Sequence, residues 1–369
     1  MLSDSRRESQ QFGLFNLIHG GWLGYLLAGF AIRYPLRSVL LAALAGCSAP
    51  LVALMEGSFI NPGLTLDLSR DIGWWNQFVL AFPTLLFLSG AYFGAFPHTL
   101  RELTDSGVLQ ASDEDWKQLR AVIQARLTSR SNVALPYLMG VTGAIMSTSV
   151  LLGRGAWFSA DTYLAGWLIP LHVFFLYYFM TYLALRLVIA YVVLNRLFSL
   201  PVNIQPFHDD GCGGLLSLSK QSGKLYVGFF IFGIIAALGV ISNFLNYGTG
   251  LTSFYNMILL IAYFALTTVA FFLPLYATMN SMTSAKKDLI ASINQRYQKI
   301  HSNLAEDSGA DELKKITSKE DLEALRLLRM TATKMQVWPF NYRSLALFFF
   351  SLSTPLLVIY FVVQVSPDI

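Results

Sequence analysis

The chain has 369 residues, of which 54% are hydrophobic and 13% are charged, and its mean hydropathy is +0.52. This composition excludes an ordinary soluble globular domain and predicts an integral membrane protein. The formal net charge is +4, and we expect the basic residues to lie near lipid headgroups rather than on nucleic acid. Cys47 and Cys212 are predicted to lie in different compartments, which leaves no disulfide framework.

Residues 1–36 are predicted to form a cytosolic or interfacial N-terminal segment. Residues 1–11 are polar and no small-residue cleavage site follows a short apolar core, so a removable signal peptide is not expected. Residues 12–32 are apolar, but His19, Gly20 and Gly21 interrupt them. This pattern favours a segment that lies on the inner membrane surface or re-enters the membrane, with a full crossing as the alternative.

Seven later segments each contain about the 20 apolar residues that span the hydrocarbon core of a bilayer. These predicted spans cover residues 37–55, 73–96, 132–153, 162–190, 225–246, 252–280 and 341–364. Crossing seven times from an inside N-terminus places 24 of the 26 Lys and Arg residues on the cytosolic side. The positive-inside rule therefore predicts an all-α polytopic bundle of the bacterial inner (plasma) membrane, with its C-terminus outside.

The predicted extramembrane mass is cytosolic. An amphipathic helix is expected over residues 112–130, between spans 2 and 3 of the membrane region 37–282, because Ser112 precedes Asp115 by a capping-box spacing. Residues 280–300 contain no Pro or Gly, so span 6 is expected to continue into a cytosolic helical hairpin over 283–339, with an acidic turn at 303–317. Trp338, Pro339 and Phe340 then form a predicted hinge into span 7, within residues 340–369.

One cytosolic loop carries several groups that bind ions. His208, Asp209 and Asp210 stand just before Cys212, and Gly213 and Gly214 follow. His208 and Asp210 are candidate ligands for a divalent metal, and the glycines would let backbone amides approach an anion. The alternative is a tight turn whose carboxylates cap the next helix.

His172 is the deepest ionisable group of the predicted spans. A polar group at that depth is a candidate for function, and the alternative is a neutral imidazole that a neighbouring tyrosine satisfies. No Asp or Glu falls in the middle of a span, which disfavours a proton-coupled carrier. The usual nucleotide, hydrolase and metalloprotease motifs are absent, so we expect neither an enzyme nor a cofactor.

Span 7 carries a stripe of hydroxyl groups. Ser344, Ser351 and Thr354 fall within about 80° of one another on a helical wheel. Such a stripe with flanking apolar residues is what a hydrophobically gated pore needs, and the alternative is a close helix–helix contact. Five predicted external acids face two arginines there and would favour cations at the mouth; they are Glu56, Asp67, Asp71, Asp161 and Asp368.

Two resemblances follow from these features. The loop Pro206-Phe207-His208-x-Asp210-x-x-Gly213-Gly214-Leu215 and the later Trp338-Pro339-Phe340 resemble a pair of motifs in uncharacterised bacterial multipass membrane proteins, and that likeness implies no activity. The layout, with long spans 4 and 6 and a broken span 7, resembles the insect olfactory and gustatory receptor channels. Their Thr-Tyr and Gln-Phe pairs are missing here, because Pro355 follows Thr354.

The channel resemblance implies a tetrameric cation channel. From the sequence we therefore expect a homo-oligomer in the lipid bilayer that conducts inorganic cations with weak selectivity through a pore lined by span 7. Two alternatives stay open. One is a small-solute transporter, and the other is a non-conducting sensor or scaffold that acts through its cytosolic hairpin.

Overall fold

The computed structural model of the chain is all-helical, without a β-strand among the residues that it describes. The described residues are 46–62, 66–88, 93, 96–151, 163–200, 203, 213–247, 254–306, 312–334 and 342–365. The N-terminal segment 1–36, including residues 12–32, lies outside them.

Ten helices and helical segments are named here in chain order. The first of them are α1 (Ser48–Met55), α2 (Ile72–Trp75, continuing as a π-helix over Asn76–Ala81 and an α-helix over Phe82–Leu88), α3 (Phe96–Asp105), α4 (Asp113–Leu127) and α5 (Arg130–Leu151). The later ones are α6 (Tyr163–Leu197), α7 (Leu216–Tyr247), α8 (Phe254–Glu306), α9 (Glu312–Lys334) and α10 (Tyr342–Val365).

Two of these helices are long and apolar enough to cross a membrane. Their apolar windows are Trp167–Leu197 in α6 and Leu225–Ser242 in α7, with mean hydropathies of 1.8 and 2.4. Shorter apolar helical stretches occupy Ile72–Leu88 and Leu345–Tyr360 within the described part of the chain. The count of seven spans stays a prediction.

Local sequence signals account for the ends of two helices. Ser112 caps α4 through a complete capping box, in which its hydroxyl accepts from the Asp115 amide and the Asp115 carboxylate accepts from the Ser112 amide. Helix α8 runs for 53 residues through the stretch that lacks Pro and Gly, as predicted. The turn after it is narrower than the predicted 303–317, because the helix-forming residues 312–315 already belong to α9.

The bundle is organised around three helix pairs: α6 on α5, α7 on α10, and α9 beside α8. The α5–α6 contact depends on small residues, since a Cβ added at Gly140 would lie 2.8 Å from the ring of Phe174. The main hydrophobic cluster joins α6 to α2, α3, α4 and α7, and it includes Phe179, Leu197 and Leu215. The predicted amphipathic helix α4 therefore packs on the bundle with its apolar face.

The α8–α9 hairpin is less covered than the bundle. Lys286 Nζ donates to the Thr333 carbonyl at 2.7 Å, and Met282 and Ala332 are buried. Farther from the bundle, Tyr297, Leu327 and Met330 are exposed. The contact between α8 and α9 therefore covers only part of their apolar surface.

Candidate functional site

The predicted hydroxyl stripe of span 7 lies on α10, and its two described side chains face the interior of the chain. Ser351 is 1% exposed and Thr354 is 5% exposed. The Ser351 hydroxyl donates to the Phe348 carbonyl at 2.8 Å, and the Thr354 hydroxyl donates to the Phe350 carbonyl at 2.7 Å. Ser344 lies in the first turn of α10, and its side chain is outside the described part. Both hydrogen bonds stay within α10, and the burial of the two residues is that of a helix packed tightly on its neighbours.

A proline explains why a tyrosine is buried beside this stripe. Pro355 lies inside α10 and has no N–H, so the Ser351 carbonyl loses its usual partner within the helix. The hydroxyl of Tyr263, from α8, donates to that carbonyl at 2.7 Å and lies 3.0 Å from the Phe229 carbonyl of α7. Tyr263 therefore joins α7, α8 and α10 at one point.

The opposite face of α10 is uncovered in the single chain. Phe349 is 58% exposed and Tyr360 is 59% exposed. Ser353, Tyr360 and Gln364 lie within about 40° of one another on this face by helical geometry, and the Ser351 side lies across the helix axis from them. The Ser353 side chain is half-buried, and Gln364 is exposed. This outward face combines three polar side chains with large apolar neighbours.

His172 is bonded in the bundle, through partners other than the tyrosine that its sequence context suggested. Its Nδ1 lies 2.7 Å from the Leu168 carbonyl, which only accepts, so Nδ1 is the protonated nitrogen. Nε2 then accepts from the Ser48 hydroxyl of α1 at 3.2 Å. The ring also packs edge-on against Trp74 of α2, with centroids 5.2 Å apart. His172 thus links three helices.

The predicted ion-binding loop is described only at its end. Gly213 and Gly214 have φ angles of 68° and 91°, a left-handed conformation that favours glycine and makes a tight turn before α7. His208, Asp209 and Asp210 lie outside the described residues, as do the hinge residues Trp338, Pro339 and Phe340. No group of three or more His, Cys, Asp or Glu that could hold a metal occurs within the described ranges.

Two predicted external acids lie at the start of α2. Asp67 is 1% exposed, and its carboxylate accepts from the Ser69 hydroxyl at 2.7 Å and the Arg70 amide at 3.1 Å. The Ser69 hydrogen bond, aided by the amide hydrogen bond and the positive charge of Arg70, holds the pKa of Asp67 below its usual value. Asp71 is buried too and caps α2 by accepting from the Trp74 amide. Both acids have structural roles in this loop.

Arg186 is buried, contrary to what its place in the sequence suggests. It stands near the inner end of predicted span 4, where an arginine side chain usually reaches toward water, but the residue is 1% exposed. Its guanidinium lies 4.5 Å from the centre of the Tyr182 ring. Phe174, Tyr178 and Tyr182 stack at four-residue intervals along the same face of α6. That spacing was readable in the sequence and indicates a buried face that ends at the arginine.

Asn76 was also missed. It lies in the π-helical segment of α2, is buried, and its side-chain amide donates to the Ile235 carbonyl of α7 at 2.7 Å. π-Helical segments leave no clear sequence pattern, although they often occur at functional positions.

Comparison with known proteins gives no relative: the chain matches no protein-family model, no curated protein and no solved structure.

Proposed function

We propose that the protein is an oligomeric ion channel of the bacterial inner membrane, with seven spans, a cytosolic N-terminus and an external C-terminus. Copies of α10 surround a common axis in a homo-oligomer, with a tetramer favoured, and conduct inorganic cations with weak selectivity. The apolar windows of α6 and α7 support a membrane location. Asp67 and Asp71 are buried and bonded in their own loop, so the proposed preference for cations rests on the other predicted external acids.

The observation that carries this proposal is the uncovered outward face of α10. Phe349 and Tyr360 on this face are more than half exposed in the single chain, so either lipid or another copy of the chain covers them in the membrane. Copies of the chain arranged around an axis would cover part of that face.

A path along the outward face would have the composition of a gated pore. Ser353, Tyr360 and Gln364 supply polar groups that hydrate an open path, and Phe350 and Leu357 supply the apolar surface that dewets a closed one. The lining predicted from the sequence is on the opposite side of α10 and consists of Ser344, Ser351 and Thr354. The hydroxyls of Ser351, Ser353 and Thr354 all donate to carbonyls of α10, so their hydrogen bonds do not distinguish the two faces. We favour the outward face because Ser351 and Thr354 are buried in the single chain, whereas Gln364 is exposed.

A second function is favoured by the exposed hairpin. Leu327 is 57% exposed on α9, and Met330 is exposed one turn further along. A non-conducting scaffold would use this surface to bind a cytosolic partner. In the channel proposal, the same surface holds the subunits together.

Single-channel recording from the purified protein in planar bilayers tests the proposal. We expect discrete cation currents that Ser353→Trp reduces, because the added bulk narrows the path, and that Ser353→Asp raises, because the charge hydrates it and attracts cations. The matched controls are Ser302→Trp and Ser302→Asp, since Ser302 is an exposed serine on α8. A folded oligomer without discrete currents would leave the scaffold function.

A further inference from the structure

Arg186 carries a permanent charge in an apolar interior. It is 1% exposed, and four neighbours along α6 belong to the main hydrophobic cluster; these are Tyr182, Leu183, Ile189 and Ala190. Within the described part of the chain, neither its Nε nor its Nη1 has a hydrogen-bond acceptor. The Tyr182 ring faces the guanidinium and its hydroxyl is hydrogen-bonded to Arg186, but this contact leaves Nε and Nη1 without an acceptor.

A buried arginine cannot relieve this situation by losing its proton, because a guanidinium is not deprotonated in proteins. Leaving a charge buried with unfilled donors is strongly destabilising. A bound group with a negative charge and acceptor oxygens would satisfy both the charge and the donors. Planar guanidinium groups suit phosphate and carboxylate oxyanions particularly well.

The depth of Arg186 in the proposed membrane selects between these oxyanions. The apolar stretch of α6 runs from Trp167 to Leu197, which is longer than the roughly 20 residues that cross the hydrocarbon core. In the predicted span 162–190, Arg186 lies four residues, about 6 Å along a helix axis, from the cytosolic end. In the proposed topology the guanidinium therefore lies at the level of the inner headgroups, where phosphate is the abundant oxyanion.

We propose that Arg186 binds a phosphate oxyanion at the cytosolic end of the bundle, from the headgroup of an anionic phospholipid or as free phosphate. The site rests on the proposed membrane topology but is independent of conduction. Because the guanidinium is buried, the anion can leave only when the surrounding helices separate. We therefore expect slow exchange and a ligand that co-purifies with the protein.

The experiment compares the intact protein with Arg186→Gln and with a matched control, Arg196→Gln, which removes an exposed arginine from the same helix. Lipid extraction and mass spectrometry measure the phospholipid that remains after extensive detergent exchange. The unfolding temperature of delipidated protein is then measured in nanodiscs of phosphatidylcholine and in nanodiscs of equal parts phosphatidylcholine and phosphatidylglycerol. It is also measured in detergent with inorganic phosphate and, at matched ionic strength, with chloride.

We expect wild type and Arg196→Gln to retain anionic phospholipid and to be stabilised by phosphatidylglycerol, and Arg186→Gln to bind it roughly 10- to 100-fold more weakly. Stabilisation by inorganic phosphate, without retained lipid, would support the site with free phosphate as its ligand. Arg186→Lys keeps the charge without the planar fork and should bind with intermediate affinity.

The proposal is overturned if wild type retains no phospholipid and neither phosphatidylglycerol nor phosphate raises its unfolding temperature. It is equally overturned if Arg186→Met is more stable than wild type in every condition, because the buried charge would then only destabilise the protein. Should Arg186→Gln fail to fold, the wild-type measurements alone decide. None of these readouts depends on conduction, so failure here leaves the channel proposal to its own test.

Discussion

The two faces of α10 contain similar residues and differ in how far the chain covers them. On the interior face, Ser351 and Thr354 are buried, their hydroxyls donate to carbonyls of their own helix, and Tyr263 donates to the carbonyl that Pro355 leaves without a partner. On the outward face, the Ser353 hydroxyl likewise donates to a carbonyl of its own helix, but the neighbouring Phe349 is more than half exposed in the single chain.

This difference separates folding from function within one helix. The interior face packs against α7 and α8, so substitutions on it should change the stability of each chain. The outward face is only partly covered, through contacts such as the stacking of Phe350 on Phe230 of α7, so its substitutions should change assembly and conduction more than stability. The predictions below test that separation.

The largest expected effect comes from two neighbouring phenylalanines. Phe348 is 3% exposed and packs with Tyr226 and Phe272, whereas Phe349 is 58% exposed. Phe348→Ala should lower the free energy of unfolding by about 3–5 kcal/mol, because it opens a cavity. Phe349→Ala should change it by less than about 0.5 kcal/mol but weaken the oligomer. Unfolding in detergent measures the first effect, and native mass spectrometry measures the second. If Phe348→Ala and Phe349→Ala lowered the free energy of unfolding equally, the two faces would not differ in their contribution to folding.

A smaller effect is expected where α7 approaches α10. A Cβ at Gly233 would lie 2.7 Å from the Tyr263 hydroxyl and 3.2 Å from Pro355 Cδ. Gly233→Ala should therefore destabilise the chain by about 1–3 kcal/mol through overpacking.

Gly223, two to three turns earlier on α7, provides the matched control, because a Cβ there would meet nothing within 4 Å. Gly223→Ala should stabilise the chain by about 0.4–1 kcal/mol, since alanine restricts the unfolded chain and favours helix. Thermal unfolding compares the two variants. A neutral Gly233→Ala would mean that α7 and α10 are not packed so closely.

The smallest effect concerns the hydrogen bond from Tyr263 to the Ser351 carbonyl. Tyr263→Phe should cost about 0.6 kcal/mol and at most about 1.7 kcal/mol, the average and the maximum found for single hydrogen bonds between membrane helices. Pro355→Ala restores the N–H that can satisfy the same carbonyl, so Tyr263→Phe should cost less in that background. A double-mutant cycle measures the difference. Strictly additive costs would show that the tyrosine does not replace the missing helical bond.

Features set by neighbouring residues were predictable from the sequence. The capping box of Ser112 and Asp115 depends on residues three apart, and the continuity of α8 depends on the absence of Pro and Gly. The left-handed turn at Gly213 and Gly214 likewise follows from what glycine permits.

Features set by contacts between distant helices were not predictable in the same way. A helical wheel groups Ser351 with Thr354, but it cannot tell which side of α10 meets α7. Arg186 was expected to reach water because arginines near a span end usually do, yet the surrounding helices cover it. His172 bonds Ser48, which lies 124 residues away in the sequence.

Thiol accessibility along α10 tests the central claim most directly. Single cysteines replace residues 344, 351, 353, 354, 360 and 364 in a background with Cys47→Ser and Cys212→Ser, and water-soluble thiol reagents are applied during current recording. We predict that cysteines at 353, 360 and 364 react and that their modification reduces the current, while those at 351 and 354 do not react. Reaction at 344, 351 and 354, with none at 353, 360 and 364, would place the path on the interior face and contradict the account.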